Sequence, residues 1–360
     1  MMILERRGNL LAAEAEALVN TVNTVGVMGK GIALQFKQAF PDNFKAYHAA
    51  CKRGEVQMGR MFVFDRGTLG TQRLIINFPT KKHWRTPSRL ADIEAGLDDL
   101  VRVLNENSVT SIAVPALGCG NGGLPWAVVR PLIIRKLEQV DGLTLFLFPP
   151  AGAPPAEEML VRTSAPRMTL GRALLIALTA RYHRRLEIIQ AAPSPPGASL
   201  LEMQKLMYLL QESGEPLRLR YEKGRYGPYA ENLNKVLQAT EGHFTRGYGD
   251  RSDAVLRLAP VVLLPGAEER AAEHLTREPD ALSRIDSVLD LIDGFESPYG
   301  LELLATVHFA ATHIGAGREA VVATVQAWNE RKKNLFQPAH IEAAWIQLER
   351  HGRLVLESEP

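Results

Sequence analysis

A glycine-rich stretch that follows a short apolar run decides the fold of this chain. Residues 111–126 read Ser-Ile-Ala-Val-Pro-Ala-Leu-Gly-Cys-Gly-Asn-Gly-Gly-Leu-Pro-Trp. Residues 111–114 predict the end of a buried strand, and residues 124–136 predict a helix. The glycines between them leave backbone N–H groups uncovered, as a cradle for phosphate oxygens requires. The spacing matches neither Walker A nor GxGxxG, so on these residues alone a phosphate-binding loop and a plain strand-to-helix turn stay equally open.

A similar arrangement occurs earlier in the chain. A strand ending at Asn20 continues into Thr21-Val22-Asn23-Thr24-Val25-Gly26-Val27-Met28-Gly29-Lys30-Gly31-Ile32-Ala33-Leu34-Gln35-Phe36. Here too an apolar strand leads through glycines into a helix. Two such units in one domain suit a ligand with two phosphates, held at the carboxyl ends of neighbouring strands.

Three segments together resemble the macrodomain, a fold that binds ADP-ribose. They are Gly8-Asn9-Leu10-Leu11, residues 19–23 with Gly29-Lys30-Gly31-Ile32-Ala33, and residues 115–123. The resemblance implies an α/β fold for residues 1–150, with a mixed sheet between helices. It implies that Asn9, where the family often has an acidic residue, lies at the adenine end and that Asn23 faces the distal ribose. The ADP-ribose-binding residues that it implies are Gly8, Asn9, Thr21, Val22, Asn23, Ile32, Ala33, Leu34, Gln35, Thr80, Gly118, Cys119, Gly120, Asn121 and Gly122.

A lysine near the end of another predicted strand is the candidate for chemistry. Residues 77–84 read Asn-Phe-Pro-Thr-Lys-Lys-His-Trp, and Lys81 is expected just past the strand, on the edge where both glycine loops emerge. Partial burial would lower its pKa and allow it to act as a nucleophile or acid–base group at an anomeric carbon. Without other information, Lys81 and Lys82 are more typical of a solvated surface pair, and Lys82 is the alternative candidate.

This segment resembles the subgroup of macrodomains that remove ADP-ribose with a lysine, in particular the DarG-type DNA ADP-ribosyl glycohydrolase antitoxins. The resemblance implies that Lys81, with Asn23, acts at the carbon joining ADP-ribose to thymidine in single-stranded DNA. The basic run at residues 81–89, with Trp84 inside it, suits a phosphate backbone and one stacked base. We expect no cofactor, and a metal-independent reaction, because the histidines and cysteines lack metal-ligand spacing.

The second half of the chain has a different pattern. The proline-rich residues 149–155 predict a boundary, so we expect a macrodomain at 1–150, a linker at 151–160 and a mostly helical domain at 161–360. Residues 205–211, 225–230, 242–250 and 299–308 resemble the C-terminal region of the same antitoxins. This resemblance implies direct binding of a cognate DNA ADP-ribosyltransferase toxin of the DarT type, which the domain would neutralise.

Composition and charge narrow the classes of protein. Hydrophobic residues make up 46% and charged residues 23%, as in soluble globular proteins. We expect no membrane association and a cytoplasmic location, because no long apolar run or signal peptide is apparent and the two cysteines form no disulfide framework. Residues 1–155 hold 18 Lys and Arg against 13 Asp and Glu, whereas the remainder holds 24 against 27. A basic front half suits a polyanion, and an acidic back half suits a basic partner.

Three other functions stay open at this point. The first domain could bind ADP-ribose without cleaving it, or it could hydrolyse ADP-ribose esters on protein glutamates. The back half could instead be a winged-helix DNA-binding domain.

Overall fold

The computed structural model describes residues 1–68, 70–190, 197–251, 260–315 and 317–354. The chain forms two compact units, Met1–Ser164 with Gly249–Asp253, and Ala165–Tyr248 with Ala254–Pro360. Residues 151–160, predicted to be a linker, lie within the first unit. There the Arg162 N–H donates to the carbonyl of Gln38 at 2.8 Å, so the chain beyond the prolines still packs on the first unit.

The first unit is built on one six-stranded sheet in the order β1-β6-β5-β2-β4-β3. Its strands are β1 (Met2–Glu5), β2 (Ala17–Asn23), β3 (Phe62–Asp65), β4 (Leu74–Lys81), β5 (Ser111–Pro115) and β6 (Thr144–Phe148). The pairings are parallel except that of β3 with β4, which is antiparallel. The predicted mixed sheet is therefore confirmed.

Helices cover both faces of this sheet. They are α1 (Gly31–Ala39), α2 (Pro41–Lys52), α3 (Leu90–Glu106) and α4 (Trp126–Leu137). Side chains alternate along β2, so Ala17 and Val19 join one apolar cluster and Leu18 joins another on the opposite face. The central strands β2, β4 and β5 are buried on both faces, whereas the end strands β1 and β3 are partly exposed.

Strand order brings the two glycine loops together. β2 and β5 are neighbours in the sheet and run parallel, so their carboxyl ends point to the same edge. The loop after β2 leads into α1, and the loop after β5 leads into α4. β4 lies on the other side of β2, which places Lys81 at this same edge.

The second unit is mostly helical, as predicted. Its elements are α5 (Leu170–Gln190), α6 (Leu200–Glu212), β7 (Tyr221–Gly224), β8 (Gly227–Ala230), α7 (Leu233–Thr240), β9 (Thr245–Arg246), β10 (Val262–Leu263), α8 (Ala267–Leu275), α9 (Pro279–Leu291), α10 (Pro298–Phe309), α11 (Arg318–Gln326), α12 (Glu330–Leu335) and α13 (Pro338–Arg350). A π-helical turn, Ala310–Gly315, follows α10. Strands β7 and β8 form an antiparallel hairpin, in which Arg225 and Tyr226 are the connecting residues.

Buried charged side chains form hydrogen bonds between segments of the second unit that are distant in sequence. The amine of Lys205 on α6 donates to the carbonyl of Pro228 at 2.7 Å. Glu302 on α10, 1% exposed, accepts hydrogen bonds from Lys332 at 2.6 Å and from both terminal nitrogens of Arg331. The Arg-Tyr-Gly-Pro-Tyr hairpin is therefore fixed to a helical core through side chains that are distant in sequence.

Across the described residues, no helix has both the length and the apolar character to cross a membrane.

Candidate functional site

An irregularity in the sheet sets the position of Lys81. The sequence predicted that Lys81 lies just past a strand, but β4 continues through Pro79 and Thr80 to Lys81 itself. The register places Val22 opposite Pro79 and Asn23 opposite Lys81, so one extra residue, Thr80, is accommodated in β4. The expectation that Lys81 lies just past the strand is therefore wrong by one residue, because parallel pairing with β2 extends across the bulge. Bulges re-aim side chains at sheet edges.

The Lys81 amine reaches the second glycine loop. Its Nζ donates a 2.7 Å hydrogen bond to the main-chain carbonyl of Asn121. Partial burial lowers the pKa of Lys81 below the usual lysine value. A larger fraction of the amine is therefore uncharged near neutral pH than for a solvated lysine.

Asn23, at the carboxyl end of β2, shapes the first glycine loop. Its side-chain oxygen accepts the N–H groups of Val25 and Val27 at 3.1 and 3.2 Å, and its side-chain nitrogen donates to the Val27 carbonyl at 2.6 Å. The Tyr47 hydroxyl donates to the Asn23 main-chain carbonyl. The asparagine is 6% exposed and both ends of its amide engage the loop, so its predicted role at the distal ribose stays a prediction.

The first turn of α1 supplies backbone N–H groups at the site. Lys30 precedes the helix in an extended conformation, and its side chain does not cap the first turn. Ile32 and Ala33 are partly exposed, whereas Leu34 and Gln35 are buried. Helix N-termini favour anions, which suits the predicted phosphate contacts.

An acidic residue already lies at this helix end. Within the first unit, the Asp250 carbonyl accepts the Gly31 N–H at 2.8 Å, and the Asp250 carboxylate accepts the Gln35 amide at 2.6 Å. Gln35 was predicted to line the ADP-ribose site, but here its amide holds Asp250. No local pattern could indicate this contact, because the residues are 215 positions apart.

Three other residues predicted to bind ADP-ribose, Thr21, Val22 and Thr80, lie near the carboxyl ends of β2 and β4. Val22 is 3% exposed and Thr80 is 3% exposed. The Thr80 hydroxyl donates to the Val22 carbonyl at 3.3 Å, across the β2–β4 bulge. Thr21 is partly exposed. Their packing holds the edge from which the loops depart, and their contacts to a ligand stay predictions.

The second glycine loop closes on itself. Gly118 has φ +70°, and its carbonyl accepts the N–H of Leu124 at 3.0 Å. A Cβ on Gly122 would lie 2.3 Å from both the Gly118 carbonyl oxygen and the Ser88 hydroxyl, so only glycine fits there. Gly120 and Asn121 are exposed. Gly120 and Asn121 are therefore accessible to a ligand, whereas Gly122 is tightly packed against Gly118 and Ser88.

Cys119, in the same loop, is not a thiolate at neutral pH. Burial raises the pKa of its thiol to about 11. The sulfur donates weakly to the Leu117 carbonyl at 3.5 Å. A neutral thiol in this place lines the loop rather than acting as a nucleophile.

A cavity lies beside β1 and β6, at the end of the sheet away from Lys81 on β4. It has a volume of about 470 Å³ and is lined by Leu4, Arg6, Arg7, Asn9, Ala12, Ala13, Glu14, Phe146 and Phe148. Gly8 precedes it with φ +98°. The Asn9 side chain accepts the Leu11 N–H at 3.0 Å and donates to the Glu158 carbonyl at 2.7 Å. Arginines and aromatic rings together suit a flat, electron-rich ring such as adenine.

Two residues that sequence reasoning missed connect the loops. The Ser88 N–H donates to the Gly122 carbonyl at 3.0 Å, and Thr24 donates from its N–H at 3.2 Å and its hydroxyl at 2.9 Å to the Lys82 carbonyl. The segment 82–88 is thus bonded at its start to the first glycine loop and at its end to the second. No local pattern marks such residues, because their partners are distant in sequence.

The comparisons with known proteins agree with this architecture. The Macro domain model matches residues 19–133, which span β2 to α4. The first unit is therefore a macrodomain.

The relatives extend over nearly the whole chain. A DNA ADP-ribosyl glycohydrolase of Thermus aquaticus is 48% identical over 97% of this chain and 93% of its own length. A DNA ADP-ribosyl glycohydrolase of Mycobacterium tuberculosis is 46% identical over 95% of this chain and 98% of its own length. The chain belongs to the DNA ADP-ribosyl glycohydrolase family.

A third relative carries two proteins in one chain. A DNA ADP-ribosyl transferase–DNA ADP-ribosyl glycohydrolase fusion protein of Thermosipho africanus is 37% identical over 37% of this chain and 38% of its own length.

Proposed function

We propose that this protein removes ADP-ribose from thymidine in single-stranded DNA, and that Lys81 is the group that acts at the anomeric carbon. The observation that carries the proposal is the place of the Lys81 amine. It lies at the carboxyl end of β4, bonded to the glycine loop after β5, with its pKa lowered by burial. DNA as the substrate is supported by the names of the relatives that match nearly the whole chain.

The sheet edge suits a long ligand with chemically different ends. The cavity beside Phe148 lies at β6, and Lys81 lies at β4, with β5 and β2 between them. Three strand spacings of about 4.8 Å each separate the two. ADP-ribose would place its adenine at the cavity, its two phosphates at the glycine loops and its distal ribose beside Lys81.

The reaction starts from the uncharged form of the Lys81 amine. This amine attacks the anomeric carbon while the bond from that carbon to thymidine breaks, and thymidine leaves with the bonding electrons and takes up the proton that the attacking amine loses. Water then adds to the anomeric carbon and passes one proton to the departing lysine nitrogen, so ADP-ribose is released and the amine is restored. Because a lysine is a nucleophile only when deprotonated, the lowered pKa favours this step.

Three substrates test the proposal and its rivals. Wild-type protein is incubated with an ADP-ribosylated single-stranded oligonucleotide, with a protein carrying ADP-ribose on glutamate, and with ADP-ribose alone. We expect release of free ADP-ribose from the oligonucleotide. Tight ADP-ribose binding without release would favour the non-catalytic reader, and release from the modified protein alone would favour the ester hydrolase.

We further propose that the second unit binds a partner DNA ADP-ribosyltransferase and neutralises it. The transferase–glycohydrolase fusion relative supports such a pairing. Exposed acidic residues lie on α8 (Glu269, Glu273), on α9 (Asp280, Asp290) and between the two helices (Glu278), and they outnumber the exposed Arg270 and Arg277 of the same stretch. A surface of this charge suits a basic cleft that otherwise accepts DNA.

Charge reversal tests this second proposal. A variant with Glu269→Lys, Glu273→Lys and Asp280→Lys should lose affinity for the partner DNA ADP-ribosyltransferase. The control is a variant with Glu319→Lys, Glu342→Lys and Glu349→Lys, three exposed acids on α11 and α13. Equal binding of both variants would contradict a role for α8 and α9. If the second unit binds DNA but does not bind the transferase, the winged-helix DNA-binding alternative is favoured.

A further inference from the structure

The loop that follows Lys81 carries an exposed tryptophan. Trp84 is 47% exposed. The His83 ring lies 5.2 Å from the indole ring, and the guanidinium of Arg85 lies 4.4 Å from its centroid. An exposed indole ring offers a flat face on which an unpaired base can stack.

The turn that bears this tryptophan is fixed by its own hydrogen bonds. Thr86 donates from its N–H at 3.0 Å and from its hydroxyl at 2.8 Å to the His83 carbonyl. The Arg85 N–H donates to His83 Nδ1 at 3.3 Å. Trp84 is therefore presented by an ordered turn, which lowers the entropy lost when a ligand stacks on it.

The turn also lies at the candidate site. Its segment, residues 82–88, is bonded to the first glycine loop through Thr24 and Lys82 and to the second glycine loop through Ser88 and Gly122. Lys81 immediately precedes it. A strand of nucleic acid whose modified nucleotide lies at Lys81 would therefore pass this segment.

Charge and exposed apolar surface both match single-stranded DNA. Lys82 and Arg85 in this segment, and Arg89 directly after it, are exposed and would attract a phosphate backbone. Val25 and Val27, on the adjoining loop, are 45% and 41% exposed. Unpaired bases offer flat faces to such a surface, whereas the bases of a duplex are already stacked inside it.

We propose that Trp84, flanked by His83 and Arg85, is a stacking shelf for an unpaired base of the DNA strand that enters the site. The inference rests on the proposed function for its substrate and adds a binding position to it. The shelf holds the strand while Lys81 acts on the modified nucleotide, so it sets affinity for DNA rather than the rate of bond cleavage.

The test measures binding and turnover separately. We expect Trp84→Ala to bind an unmodified single-stranded oligonucleotide roughly five- to a hundred-fold more weakly than wild type, as loss of one base–aromatic stack predicts. Its KM for the ADP-ribosylated oligonucleotide should rise by a similar factor, with kcat little changed. Trp84→Phe should restore most of the affinity, and the tryptophan fluorescence lost on DNA addition to wild type should be absent in Trp84→Phe.

The control is Val128→Ala, which removes a side chain of similar exposure, 46%, from α4. It should bind the oligonucleotide as wild type does. Equal oligonucleotide affinity of Trp84→Ala and wild type, or equal loss with a duplex of the same sequence, would overturn the shelf. If wild type binds single-stranded DNA through Trp84 but releases no ADP-ribose from the ADP-ribosylated oligonucleotide, the stacking role of Trp84 is supported and the proposed reaction is contradicted.

Discussion

Asn23 and Lys81 stand opposite each other across β2 and β4, immediately after the bulge at Thr80. Without that extra residue the pairing would shift by one position, and the side chain opposite Asn23 would be threonine. A one-residue slip moves side chains to the other face of a sheet. The bulge therefore places Lys81, rather than Thr80, opposite Asn23.

Replacement of the lysine tests its role in the proposed reaction. We expect Lys81→Ala and Lys81→Arg to lower kcat for the ADP-ribosylated oligonucleotide by roughly a hundred- to ten-thousand-fold, the range for loss of a catalytic side chain. Arginine keeps the charge but stays protonated, so it cannot act as the nucleophile. ADP-ribose affinity, measured by calorimetry, should change little.

The matched control for this prediction is the neighbouring lysine. Lys82→Ala removes an exposed amine from the next position, and its kcat should stay near that of wild type. Full turnover by Lys81→Arg, or collapse of turnover in Lys82→Ala alone, would remove Lys81 from the mechanism.

The pH dependence of turnover reports the protonation state of the amine. Burial lowers the Lys81 pKa, so the uncharged fraction rises as pH increases through that lowered value. We expect kcat/KM to rise with pH and to reach its plateau below the pKa of a solvated lysine. A rate that falls over the same interval would indicate that the protonated amine is the active form.

The second glycine loop tolerates no side chain at one position. A Cβ at Gly122 would meet the Gly118 carbonyl and the Ser88 hydroxyl at 2.3 Å. We expect Gly122→Ala to lower the free energy of unfolding by about 1–3 kcal/mol, as overpacking does, and to weaken ADP-ribose binding. Thermal denaturation and calorimetry measure the two effects.

A neighbouring glycine provides the comparison. A Cβ at Gly120 would meet no atom within 4 Å, so Gly120→Ala should melt within a few degrees of wild type. Equal melting temperatures for Gly122→Ala and Gly120→Ala would show that the loop can move aside.

Acid should destabilise the second unit through a buried histidine. Burial, together with the nearby charges of His313 and Arg353, lowers the His308 pKa to about 4. Because the unfolded chain titrates near 6.5, it binds more protons than the folded chain between these values, and stability falls as pH decreases through this interval. The full loss is on the order of 3 kcal/mol.

Hydrogen exchange measures this effect within the second unit. Peptides covering α10 should exchange faster at pH 4.5 than at pH 7 after correction for the intrinsic rate. The ring accepts or donates at the Tyr208 hydroxyl, 2.8 Å away, so His308→Gln keeps a polar partner there and should show a smaller acid effect. The same acid sensitivity in His308→Gln would assign it to other groups.

The order of elements in the first unit was predictable, because it depends on local patterns. Apolar runs leading into glycines predicted the strands and helices on either side of the two loops. In the second unit, α6 has apolar residues at helical spacing, in agreement with the predicted helical character. Helix α8 gives a weaker signal, since its alanines and glutamates provide few large apolar residues at that spacing.

Sequence patterns were enough to identify the residue types at the site: glycines that leave the backbone bare, an asparagine and a lysine at strand ends, and an aromatic residue within a basic run. Their mutual arrangement depends on tertiary packing. The bulge at Thr80, the bonds from Thr24 and Ser88 that join the loops, and the Asp250 contact with α1 all link residues far apart in the chain. Local propensity fixes strands and turns within a few residues, whereas register and loop-to-loop hydrogen bonds depend on the packing of the whole unit.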